Sequence, residues 1–379
     1  MNTPPEKTAA DFFAGIGLVS LGLTRAGWTV KYAVDYSEDK RQMYEAHFGP
    51  GHYHVKDVAD VAPEEIPPVT LYHASFPCTD TSVAGTRAGI NSGESSAFWS
   101  FADILKGAGA KRPPLVMLEN VEGLLTSNKG EDLRAILKTL NDLGYATDLL
   151  LIDAAHFVPQ SRVRLFMLGL LHEKGQDPLE QEIILNQKAL ARPEKVATYI
   201  RSNPDISWTL RPLPPLPRLS LRLEEIVDPE ATWWTRERSD YLFHQMFERH
   251  QKVIHQMMSQ QRWSYGTVFR RMREREGRRQ STAELRSDGI AGCLRTPKGG
   301  SARQILLRAG YGQFDARLLN ARECARLMGA DDYSILPELP LNRALFGFGD
   351  AVCVPVIEWI AENYLDPVIE EWAKQRLAA

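Results

Sequence analysis

Cysteine is scarce in this chain. Cys78, Cys293, Cys324 and Cys353 are the only four in 379 residues. They are far apart, unpaired at metal-ligand spacing and too few for a disulfide scaffold. A reducing, cytoplasmic setting is the expectation, with no metal, since the histidines form no ligand cluster. The opening MNTPPEKTAADFF lacks a basic flank leading into an apolar run, so a secretory signal is not expected. No stretch approaches the roughly 20 apolar residues of a membrane span, and no membrane association is expected. A net charge of -3 announces no polyanionic partner, yet excludes none, because binding depends on where basic groups cluster. No internal repeat is visible. What is present, 44% hydrophobic and 25% charged residues, is the balance of a globular protein with room for one large core and a smaller one.

The first part of the chain alternates strand-like and helix-like stretches. AADFFAG, TVKYAVD, VTLYHASF, PPLVMLENV and ATDLLLIDA read as strands, while GLVSLGLTRAG, SFADILKGAG and GEDLRAILKTLNDLG read as helices. That alternation predicts an α/β fold with a mostly parallel sheet covered by helices on both faces. Active groups then belong in the loops after strand C-termini. The rhythm breaks near Leu171, and RPLPPLPRL is too proline-rich for regular structure. Three segments are expected: a large α/β domain over 1–170, a smaller and less regular one over 171–318, and a C-terminal return to the large domain over 319–379.

DFFAGIG places Gly15 and Gly17 where a first strand would turn into a helix, allowing backbone to approach a ligand with no Cβ in the way. A GxG alone is equally a tight turn. Asp35, eighteen residues after Gly17 at the end of the second strand, adds a group suited to ribose hydroxyls. Ser20 replaces the third glycine of a dinucleotide fingerprint, so a nucleoside without a diphosphate fits better. Phe13 and Tyr36 are candidate stacking surfaces, or core residues.

Cys78 follows a proline in the loop after VTLYHAS, where a thiol has little to pack against. It is either an inert structural thiol or a nucleophile held in a fixed direction. Glu119 ends an apolar run, where a carboxylate is costly unless paired or used. Arg162 and Arg164, two apart on a strand-like segment, share a face and suit carboxylate, carbonyl or phosphate recognition. Pyrimidine C5 becomes nucleophilic when a thiolate adds to C6, and these groups can support that addition.

In ordered blocks over almost its whole length, the chain resembles the C5-cytosine-specific, S-adenosylmethionine-dependent DNA methyltransferases: DFFAGIG, FPC, ENV, QSRVR, RECARLMG and GFGDAV. The resemblance implies a Rossmann-like methyltransferase domain. Its implied cofactor residues are Phe13, Ala14, Gly15, Ile16, Gly17, Asp35, Tyr36, Asp57, Pro77, Asp350, Ala351 and Val352. Cys78 is implied as nucleophile, Glu119 as the contact to cytosine N3, Arg162 and Arg164 as the orienting pair, and Asn120 as a brace for the nucleophile loop. Thr79 stands where glutamine is common and Asp350 where asparagine is usual. A carboxylate lacks the amide's donor.

The implied substrate is a cytosine flipped from double-stranded DNA. Duplex contacts are expected from Ser82, from Arg270, Arg271, Arg273 and Arg275 in FRRMREREGRRQ, and from Lys298, Gly299, Gly300, Arg303 and Gln304 in the following loop. Taken alone, the arginine run reads equally as a solvated charged helix. A monomer is expected, in a restriction-modification or phage-defence context with association to defence-system proteins open. The alternatives are methylation of a transfer RNA cytosine and a catalytically silent DNA-binding relative.

Overall fold

The computed structural model describes residues 6–77, 97–275, 277–296 and 303–378. Cys78, Thr79, Ser82, Lys298, Gly299 and Gly300 lie outside the described residues. The chain forms two compact units. One comprises Met1–Asp153, Val163–Leu216 and Val356–Ala379; the other comprises Ala154–Arg162 and Pro217–Pro355.

Among the described residues, the first unit is built on seven strands: β1 (Thr8–Phe12), β2 (Thr29–Asp35), β3 (Tyr53–Val55), β4 (Leu71–Ala74), β5 (Leu115–Val121), β6 (Tyr145–Asp153) and β7 (Val163–Leu171). Their order is β3-β2-β1-β4-β5-β7-β6, and β7 alone runs antiparallel to its neighbours. All five residues of β1 are buried, as in a central strand covered on both faces. Helix α1 (Leu18–Arg25) buries Leu18, Val19, Leu21 and Leu23. Helix α2 (Glu38–Phe48) starts on a Ser37 cap whose side chain accepts from Lys40 N. Helix α3 (Ala97–Gly107) buries Phe98, Phe101, Ile104 and Leu105. Helix α4 (Glu131–Asp142) buries Leu133, Ile136, Leu137 and Leu140 at helical spacing. From β1 the chain winds outward through β2 and β3, then returns to β4 on the other side. The C-terminal ends of β1 and β4 therefore flank the switch point, where ligands of open α/β sheets bind.

Segment boundaries differ from the sequence expectation. Residues 172–216 join the first unit because their backbone extends its edge: Thr147 N donates to Ser207 O and Thr209 N to Thr147 O, each at 2.8 Å. Buried Arg192 also pairs with buried Asp148. Residues 319–355 belong to the second unit, where fully buried Glu323 forms two 2.6 Å contacts to Arg317.

The second unit is less irregular than composition implied. It holds a four-stranded antiparallel sheet of β8 (Ser264–Arg275), β9 (Arg278–Arg286), β10 (Ile305–Gly310) and β11 (Gln313–Leu318), in the order β11-β10-β8-β9. Leu242, Ile254, Val268, Ala283, Leu307 and Phe314 form its core. The arginine run is no helix. It is a hairpin in which Arg271 opposes Thr282 and Arg273 opposes Gln280, with Gly277 at φ 74° near its turn. Alternation decides this: Val268 points inward, while Phe269, Arg271 and Arg273 share the opposite face.

An apolar window within Leu341–Gln375 reaches a mean hydropathy of 1.6, more than the sequence reading allowed, and 72% of it is buried inside the fold. Val354, Ile357, Ile360 and Val368 in this stretch are fully buried.

Candidate active site

The turn after β1 is shaped by left-handed backbone. Phe13 has φ 57°, unusual for a bulky residue, followed by Gly15 at 59° and Gly17 at 82°. Gly17 is further required by packing, because a Cβ there would lie 2.5 Å from Tyr44 and 2.6 Å from Phe48. Ala14 N donates to Val34 O at 3.0 Å, and the Tyr53 hydroxyl donates to Gly15 O at 3.2 Å. Asp35, buried at the end of β2, accepts from Gly15 N at 3.1 Å and Ser37 N at 2.9 Å, with Lys40 Nζ 3.6 Å away. The next residue, Tyr36, is 66% exposed. A buried carboxylate beside an exposed ring and a glycine turn fits an adenosine group, with hydroxyls for the acid and a π-face for the ring. Asp57 is exposed and caps a short helical turn by accepting from Ala59 N at 2.9 Å. Lys56 N ties that segment to Asp35 O at 3.1 Å.

The strand ends on the other side of the switch point carry the second half of the site. Ser75 N donates to Phe12 O at 3.4 Å, and Asn120 Nδ2 donates to Phe76 O at 3.1 Å. The backbone entering Pro77 is thus tied to both β1 and β5. Glu119, 6% exposed in β5, lies 2.9 Å from Arg164 Nε. Register explains that pairing: Glu119 opposes Phe166 in β7, so Arg164 is its diagonal neighbour on the same face.

The two arginines do different things. Arg164 meets Glu119, whereas buried Arg162 belongs to the second unit. Its Nη1 donates to Leu294 O at 2.9 Å and lies 3.3 Å from Cys293 Sγ, and its Nη2 donates to the carbonyls of Gly349 and Ala351. Asp350, Ala351 and Val352 form part of that second unit, with Ala351 O serving as an Arg162 acceptor and Val352 buried. Arg303 reaches Asn342 Oδ1, and the Gln304 side chain packs against Gly292. Burial pushes the Cys324 thiol well above the ordinary range, as expected of an inert packed cysteine.

Two functional-looking groups escaped the sequence reading. Asp11 and His73 are fully buried, with Asp11 Oδ1 2.8 Å from His73 Nδ1. Each is a polar residue inside an apolar strand, and that mismatch was the signal available.

A family model described as C-5 cytosine-specific DNA methylase matches residues 8–366. Over 160 residues the chain is 34% identical to the type II methyltransferase M.NgoBI of Neisseria gonorrhoeae, a match spanning 42% of this chain and 49% of that protein. The chain thus spans about half the length of that relative. Over 362 residues it is 25% identical to the type II methyltransferase M.Bsp6I of Bacillus sp. (strain RFL6), covering 93% of this chain and 97% of that protein. The solved structure of the Entamoeba histolytica methyltransferase EhMeth shares the fold, with a TM-score of 0.63 at 13% identity over 96% of this chain and 99% of that one. With the glycine turn, the Glu119 edge and a family match over nearly all its length, the chain belongs to the C-5 cytosine-specific DNA methylases, which transfer a methyl group from S-adenosylmethionine to C5 of cytosine.

Proposed function

We propose that Cys78 is the nucleophile and Glu119 the cytosine N3 partner with which this chain methylates a cytosine swung out of duplex DNA. The Arg164–Glu119 ion pair carries the reading, because it holds a buried carboxylate in one orientation on the β5 edge. Asn120, the next residue, braces the backbone that leads into Cys78.

The Cys78 thiolate forms a bond to C6, breaking the C5=C6 double bond and pushing electron density toward C5. Glu119 stabilises the protonated or hydrogen-bonded N3, which accepts part of that density. Arg164 keeps the carboxyl oriented and prevents it from turning toward solvent. S-adenosylmethionine, when bound, would supply an electrophilic methyl group to C5, its S–CH3 bond breaking so that the sulfonium leaves as the neutral thioether. Loss of the C5 proton and elimination of the thiol then restore the ring. In this reading Asp35 accepts from ribose hydroxyls, and Phe13 and Tyr36 pack on the cofactor. Ala14, Ile16, Asp57 and Pro77 are further cofactor contacts in this reading, and Asp350, Ala351 and Val352 are also assigned to cofactor binding in it.

Flipping the base costs a few kcal/mol, to be offset by contacts to the duplex. Exposed Arg271 and Arg273 on the β8–β9 hairpin suit phosphate contact. Arg270, Arg275, Arg303 and Gln304 join them in this reading, with Ser82, Lys298, Gly299 and Gly300. The setting proposed is a cytoplasmic, monomeric methylase of a restriction-modification or phage-defence system.

The test is transfer of tritiated methyl groups from S-adenosylmethionine to mixed-sequence duplex DNA, with Cys78→Ala and a folded transfer RNA in parallel. Label in 5-methylcytosine of duplex DNA, lost in the variant, is the expected result. Label in the transfer RNA alone would overturn the duplex reading.

A further inference from the structure

A line of buried polar side chains runs beneath the two strand ends that frame the site. Asp11 in β1 and His73 in β4 are register partners across the parallel pair, and both are fully buried. Asp11 Oδ1 lies 2.8 Å from His73 Nδ1, and Asp11 Oδ2 accepts from Ser20 Oγ at 2.8 Å. On the far side of the ring, His73 Nε2 lies 3.3 Å from Ser75 Oγ. The line continues from Ser20 to the Tyr44 hydroxyl at 3.2 Å, which lies 3.0 Å from His52 Nε2. A hydrogen bond from His73 to Asp11 Oδ1 puts the proton on the ring nitrogen facing the carboxylate, and in that tautomer Nε2 is left to accept from the Ser75 hydroxyl. Apolar side chains would fill these core positions without the desolvation cost of a buried acid and imidazole. The pair therefore has a use beyond packing, and its ends show what it joins. Ser20 lies on α1, directly after the cofactor turn. Ser75 is three residues before Cys78.

We propose that Asp11, His73 and Ser75 form a positioning relay that fixes the backbone entering the nucleophile loop and couples it to the cofactor turn through Ser20. These are positioning residues, not catalytic ones, and the inference rests on the reading of Cys78 as the nucleophile. The Ser75 hydroxyl has a single low-energy orientation when Nε2 accepts from it. Together with the Phe12 and Asn120 contacts, that bond limits the directions open to the chain at Pro77.

The full-length chain is tested as Ser75→Ala, Ser75→Thr, His73→Asn and the His73→Asn/Ser75→Ala double variant. Asparagine keeps an amide donor facing Asp11 while removing the Nε2 acceptor. Three readouts are used: S-adenosylmethionine affinity by calorimetry, single-turnover methyl transfer to duplex DNA, and the alkylation rate of Cys78 by iodoacetamide, followed by peptide mass. The affinity should stay within about twofold, while transfer and alkylation fall together by about tenfold, the equivalent of one lost hydrogen bond. Ser75→Thr should restore both, and the double variant should fall no further than either single change. Nitrogen-15 spectra should show a neutral His73 with protonated Nδ1, altered in Ser75→Ala. Wild-type rates in Ser75→Ala, additive losses in the double variant, or a proton on Nε2 would each overturn the relay. Alkylation responds without any methyl transfer, so a wild type inactive on DNA whose Cys78 still slows in Ser75→Ala would sink the functional reading and support the relay. Should His73→Asn fail to melt cooperatively, the serine variants carry the test.

Discussion

Arg164 Nε lies 2.9 Å from Glu119 Oε1, diagonally across the antiparallel β5–β7 pair, in a contact where both side chains are largely buried. The carboxylate is thus held at the strand edge by a residue from a strand that runs against the rest of the sheet. Removing either partner leaves the other buried and unpaired. Arg164→Ala should cost about 3 kcal/mol of stability. Glu119→Gln keeps an acceptor for Arg164 but leaves its charge uncompensated, so it should lower stability by less than Arg164→Ala, about 1–2 kcal/mol, while cutting methyl transfer by about 100-fold or more. Thermal melts and single-turnover rates, run on the same preparations, check both.

Arg162 calls for the opposite pattern. Its guanidinium donates to the carbonyls of Leu294, Gly349 and Ala351, so Arg162→Met strands buried acceptors in the second unit. A loss of about 3 kcal/mol is expected in urea denaturation.

Gly17→Ala should damage the cofactor turn through packing as well as backbone. The added Cβ meets Tyr44 at 2.5 Å, and φ is 82°. Overpacking and left-handed strain together should cost about 2–4 kcal/mol. Calorimetry should show S-adenosylmethionine affinity falling in step with the melting temperature.

The hairpin arginines are tested by salt. If Arg271 and Arg273 touch phosphates, replacing both with alanine should weaken duplex binding across all sequences and lower the slope of log affinity against log salt by about 2. An unchanged slope would assign them to the protein surface, where Arg271 already stacks 4.6 Å over Phe269.

His52 sets a pH dependence of stability. Burial, then the neighbouring His54, holds its pKa below the ordinary value near 6.5. The unfolded chain therefore takes up a proton that the folded chain resists. Its contribution is complete above about pH 6.5 and is lost as pH falls through the folded value. Melting temperatures measured from pH 7.5 to 5.5 should decline, and His52→Gln should flatten that decline.

Most of the first unit was legible in the sequence because its signals are local. Apolar runs of strand length, helical spacing in Leu133, Ile136, Leu137 and Leu140, and the glycine turn after β1 are each readable within a dozen residues. Short β3 and polar α2 went unread, since three residues and a weakly apolar helix give little periodicity. The arginine run was open between helix and other forms because charge says nothing about period. Only the alternation of Val268 with Phe269 and Arg271, anchored by pairing to β10, makes it a strand.

The order of residues set the chemistry available: which residue types occur, where along the chain, and on which kind of element. It also separated expected neighbours at strand ends from residues that merely pack. The tertiary structure decided which of those groups meet. Arg162 and Arg164 look equivalent at two-residue spacing, yet one is taken up by carbonyls more than 130 positions away and the other by Glu119. Asp11 and His73 are ordinary single residues until the β1–β4 register puts them opposite each other. Periodicity acts over a few residues, whereas buried polar groups take whichever partner the packed chain brings within 3 Å, and desolvation enforces that choice.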